Sequence, residues 1–99
     1  MRERPVDAAG TEEVWRRLLA LVTWSQRTER NFAMWCDINY NQWNNYKNGR
    51  KMPSRTMFDK VIEKTGVRYD FLRWGNMSLM PRELDEALTR LLKRNHRLS

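Results

Sequence analysis

Pro53 and Gly66 bracket the stretch SRTMFDKVIEKT, whose spacing dictates a helix. Pro53 cannot continue a preceding helix, Ser54 supplies an N-cap, and Gly66 a stop. Between them Met57, Phe58, Val61 and Ile62 recur with helical period on one side. A short chain that must cover this stripe has few options, and the rest of the sequence narrows them. With only four glycines and three prolines in 99 residues, punctuation is sparse, which favours helices over a many-turned sheet. A hydrophobic fraction of 40% against a charged fraction of 31% suits a folded domain with a modest core.

The same signals divide the chain into further helices. Thr11 is placed to cap a helix over residues 12–25, with Glu12 and Glu13 in its first turn and Val14, Leu18, Leu21 and Val22 on one face. Residues 1–10, containing Pro5 and Gly10, read as a flexible arm. Thr28 caps a second helix that ends near Asp37 and buries Phe32, Ala33 and Cys36. A third starts at Asn39 and stops at Gly49, with Ile38, Trp43 and Tyr46 turned to the core. After the Pro53–Gly66 helix comes VRYDFLRWG, a short helix with Val67, Phe71, Leu72 and Trp74 to bury. Pro81 opens a last helix reaching about Arg94, striped by Leu84, Leu88, Leu91 and Leu92. Trp24 and Trp35 are the tryptophans expected at the surface. The fold class is all-α: a compact bundle of five to six helices.

The net charge is +7, which draws a small domain toward phosphate-rich partners. No run of eighteen apolar residues crosses a membrane, and the first ten residues lack the apolar core of a secretory signal. A single cysteine forms no internal disulfide and fits a reducing cytoplasm. Catalysis has no foothold. The one histidine, His96, stands beside Arg94 and Arg97 near the C-terminal end; Asp85 and Glu86 are helix neighbours that point apart. No Gly-rich phosphate loop or metal-ligand spacing is present, so no cofactor, metal or small-molecule ligand is expected.

The stretch INYNQWNNYKNG, Ile38 to Gly49, holds five asparagines and a glutamine in twelve residues. Asparagine is a weak helix former, so local stability did not select it. An amide offers a donor and an acceptor together and can grip adenine at N6 and N7, whereas a charged side chain binds phosphate anywhere. Asn39, Tyr40, Asn41, Gln42, Asn44 and Asn45 are the candidate base contacts. Between Asp37 and Arg55 four basic residues face one acid, a local net of +3 within the total of +7. Arg50, Lys51 and Arg55 are candidate phosphate clamps.

From Thr28 to Gly75 the chain resembles the Cro-and-phage-repressor type of helix-turn-helix domain, the xenobiotic-response-element family. Phe32 and Ala33 stand at that family's apolar and small positions in its second helix, Ile38 at the apolar turn position, and Trp43 at the buried position of the recognition helix. YKNGRKMPS is similar to its aromatic, x, Asn-Gly, basic pair, Pro-Ser run. GVRYDFLRWG is similar to its Gly-Val-x-x-Asp-aromatic-Leu-x-x-Gly ending. Three positions depart from the pattern: Asp37 replaces the turn glycine, Glu29 a glutamine that touches phosphate, and Cys36 a leucine. The resemblance implies a lambda-repressor-like fold and places Asn48 at a backbone-phosphate contact, with Thr28 or Arg30 taking over the contact that Glu29 would repel.

The expectation is a sequence-specific regulator that binds double-stranded DNA, a repressor of the phage or mobile-element kind, cytoplasmic and bacterial or phage-encoded. Residues 11–75 would form the DNA-binding domain. Residues 76–99, spare once the core is complete, would form a C-terminal helix that either joins two copies on a near-palindromic operator or packs back on the first helix. The alternative from another class is a protein-interaction module such as an antitoxin, in which DNA contact is secondary. A structural nucleoid protein would carry lysines where this chain carries amides.

Overall fold

The computed structural model describes residues 8–78 and 80–98. These form six helices and, among the described residues, no strand: α1 (Ala8–Ser25), α2 (Glu29–Trp35), α3 (Tyr40–Asn48), α4 (Arg55–Thr65), α5 (Tyr69–Trp74) and α6 (Arg82–Leu98). The capping chemistry explains most of the boundaries. Thr28, Asn39 and Ser54 each turn a side-chain oxygen onto the backbone N–H three residues on, which is the N-cap arrangement for α2, α3 and α4. Gly66 and Gly75 end α4 and α5 in the left-handed conformation, at φ 83° and 80°. The chain is all-α, and its radius of gyration of 13.2 Å matches a compact domain of this size (about 13 Å for 100 residues).

One core joins the helices. Val14, Leu18 and Leu21 of α1 meet Phe32 and Ala33 of α2, Trp43 of α3, Phe58 and Val61 of α4, and Phe71 and Leu72 of α5. The tryptophan of α3 is its largest fully buried side chain. Its ring lies 5.1 Å, edge-on, from Trp15 and 5.8 Å from Phe32, so aromatic packing ties α1, α2 and α3 at one point. The Trp15 indole N–H finds its partner in the Lys51 carbonyl at 2.8 Å.

Several expectations need correction. The first helix begins at Ala8 rather than at residue 12, and Thr11 is buried inside it instead of capping it. Ala8 to Gly10 therefore belong to α1; the rest of the expected arm, residues 1–7, lies outside the described residues. The last helix extends to Leu98, past Arg94, and the His96 side chain also lies outside the described set. Trp74 is 65% exposed, not buried: α5 is one and a half turns long, and Phe71 and Leu72 already fill its inner side. Trp24 and Trp35 are half-buried against the core. The core is not complete at Gly75. Leu84 and Leu88 of α6 are buried within it, and α6 packs on α1 of the same chain.

Candidate nucleic-acid interface

α2 and α3 are joined by the four residues Cys36–Asn39, and each end of that connection is fixed by hydrogen bonds. Asp37 has φ 63°. Its N–H reaches the Met34 carbonyl at 2.9 Å, and the Ile38 N–H reaches Ala33 at 2.8 Å. Those paired bonds make a Schellman ending built on a non-glycine residue. Lys60 of α4 clamps the turn from outside, its ammonium 2.7 Å from the Asp37 carbonyl. Ile38 then drops into the core, and Asn39 starts α3.

The orientation of α3 follows from Trp43. At about 100° per residue, the side opposite Trp43 carries Asn41, Asn45 and Asn48 within about 60° of each other, with Gln42 beside them. All four are exposed. Asn44 and Tyr40 are half-buried at the flanks, and Tyr46 packs against the core. Asn39 is exposed, but its Oδ1 accepts the Gln42 N–H at 3.0 Å, so it is first a cap. Of the six expected base contacts, Asn41, Gln42 and Asn45 thus stand fully outward.

The expected phosphate contacts fare differently. Arg50 holds Glu12 at 2.6 Å and Arg55 holds Asp59 at 3.1 Å, so each starts from an intramolecular ion pair. Both pairs are exposed and weak enough for a phosphate to compete. Arg30 lies 5.7 Å from the Tyr40 ring and Lys51 5.5 Å from the Tyr46 ring, with no acidic partner among the described residues. Asn48 is exposed in the last turn of α3. Thr28 Oγ1 accepts the Asn31 N–H at 3.1 Å as the α2 cap, which leaves its hydroxyl proton available to a phosphate. Gly49 ends α3 as its C-cap, where the sequence placed the stop, with an ordinary φ of −83°. The left-handed residue is the next one, Arg50, at φ 56°.

Sequence reasoning missed the role of Glu29. Its Oε1 accepts the Trp43 indole N–H at 3.0 Å and the Lys47 ammonium at 2.7 Å. Burial alone would push the Glu29 carboxyl up, but the hydrogen bonds from Lys47 and Trp43 and the Lys47 charge together hold it below its ordinary 4.5. The acid is therefore neutralised from within, and Lys47 is drawn away from the outer face. Only the separation in the fold of residues 14 and 18 apart in sequence could have shown this.

Cys36 packs in the core at 1% exposure. Burial pushes its thiol up to about 11, which leaves almost no reactive thiolate near neutrality. Among the described residues no group of His, Cys, Asp and Glu could hold a metal ion, and no helix is long and apolar enough to cross a membrane. Compared with protein-family models, curated proteins and solved structures, the chain matches none of them.

Proposed function

We propose that α2 and α3 act as a helix-turn-helix, that α3 lies in the DNA major groove, and that the chain is a sequence-specific regulator of transcription. The observation that carries this reading is the two-sidedness of α3: Trp43 fully buried on one side, Asn41, Gln42 and Asn45 exposed on the other. A helix fixed to its domain by one large anchor presents its outer side chains in a defined array, which base readout requires. The Arg30 guanidinium lies beside Tyr40, the first residue of α3, and Lys51 past Gly49 at its other end, where the strand backbones would run. The net charge of +7 supports the same partner. A repressor of the phage or mobile-element type would act by occupying a promoter. Two copies on a near-palindromic site would give the length of sequence that one α3 cannot read.

Selection of bound duplexes from a random pool tests this reading. A defined motif should be enriched. A bound pool with the same sequence statistics as the input would overturn it.

A further inference from the structure

We infer that the bases α3 reads are adenines of A·T pairs, so that the centre of each half-site is A·T rather than G·C. This rests on the DNA-binding reading above and goes beyond it by naming the bases. In the major groove guanine shows two acceptors, O6 and N7, and is read by arginine or lysine. Adenine shows an acceptor and a donor, N7 and N6, and is read by asparagine or glutamine. The outer side of α3 is one-sided in this respect. Its exposed side chains Asn41, Gln42, Asn45 and Asn48 are all amides.

The one cation in the helix, Lys47, does not join them. Its ammonium is 2.7 Å from Glu29 Oε1, on the flank nearer Trp43, and its side chain is 25% exposed. Glu29 is itself fixed by the Trp43 indole at 3.0 Å, so the arrangement that anchors α3 also withdraws its guanine-reading group. Asn41 and Gln42 lie in the first turn, the part of a recognition helix that reaches base edges.

Met34 adds an independent observation. It is 64% exposed on α2 and lines a surface groove together with Asn39, Gln42 and Lys60. An exposed methionine beside an amide suits an A·T pair, whose thymine presents a methyl group where cytosine presents an amino donor. Asp37, the acid that lines the same groove, has Lys60 3.8 Å from its carboxylate.

The experiment has two arms, both on the full chain. Random-duplex selection should return a motif with A·T pairs at the central positions of each half-site. A motif built on G·C at those positions overturns the inference while leaving the DNA-binding reading intact; no motif at all overturns both. The second arm replaces single adenines of the selected site by 7-deazaadenine, which lacks the N7 acceptor but keeps pairing and the thymine methyl. At one or more central positions of a half-site the wild-type chain should lose about 5-fold or more in affinity, because the amide N–H that pointed at N7 is left without an acceptor. Asn45→Ala or Asn41→Ala should lose little more on the same substitution, because its contact is already gone. Full tolerance of 7-deazaadenine at every central position by the wild-type chain overturns the inference. Circular dichroism of each variant keeps a folding defect separate from a lost contact.

Discussion

The indole N–H of Trp43 donates to Glu29 Oε1 across 3.0 Å, and this bond decides how α3 is held. The same oxygen takes the Lys47 ammonium, so anchor, acid and cation form one cluster between α2 and α3. Replacing Glu29 by alanine leaves a buried indole donor without a partner, at a cost of about 1 to 3 kcal/mol. It also frees Lys47. Glu29→Ala should therefore melt earlier yet bind non-specific DNA more tightly at low salt. Thermal denaturation and a salt titration on random duplex check both halves; weaker binding to random duplex by the folded variant would contradict the second.

Acid should act through the same cluster. The Glu29 carboxyl is held below 4.5 in the folded chain, so its contribution to stability is present above that pH. It is lost as pH falls through the folded value, because the unfolded chain takes up the proton first. Urea denaturation of the wild type and Glu29→Gln should show a stability gap at pH 7 that narrows by pH 3. A gap that stays constant would mean that the charge on Glu29 stabilises nothing.

Readout and clamping should separate by mutation. Asn41→Ala and Asn45→Ala remove amides that face outward, so each should cost about 1 to 3 kcal/mol on the selected site and far less on random duplex. Lys51→Ala removes a charge that carries no base information. It should weaken both and lower the salt slope by about one. Fluorescence anisotropy at several salt concentrations distinguishes the two. Equal loss on both DNAs for the asparagine variants would remove them from base recognition.

Local signals in the sequence carried most of the fold. Ser54 and Gly66, Thr28 and Asn39 act over three or four residues, and each boundary they mark stands within a residue of its expected place. Long-range choices were not legible. Whether Leu84 and Leu88 cover α1 or another copy depends on where the chain returns after Gly75, which no local pattern encodes. Trp74 was expected inside because tryptophan is mostly apolar, but a six-residue helix offers too little inward surface for it beside Phe71 and Leu72. At the candidate site, the amide array could be read from composition. The pairing of Glu29 with Lys47, and of Arg50 with Glu12, links separate helices and could not.

Asp37 offers a test of the turn. Its φ of 63° is costly for most residues, less so for aspartate, and least for glycine. Its side chain is 94% exposed, and the Lys60 bond to its carbonyl does not need that side chain. Stability should therefore rank glycine above aspartate above alanine at this position. Asp37→Gly should gain up to about 1 kcal/mol, or roughly 4 to 8 °C in Tm per kcal/mol for a domain of this size. Calorimetry of the three proteins checks the order, and alanine melting above aspartate would mean that the left-handed turn is not the preferred one.

The last helix supplies the strongest test of the architecture. Leu88 is fully buried and Leu84 is 4% exposed, both against the core that α1 builds. Truncating one such leucine to alanine typically costs 2 to 5 kcal/mol, a large share of a small domain's total of about 5 to 15. Leu88→Ala should still fold but melt well below the parent. Deleting Met80 to Ser99 removes both leucines at once and uncovers the face of α1 that α6 packs on. That chain should lose its cooperative thermal transition. A truncated chain that melts cooperatively near the wild-type temperature would make α6 dispensable to the core and return its leucines to the pool of contacts between copies. If the transition is lost, any dimer that binds a near-palindromic site must form through surfaces other than Leu84 and Leu88.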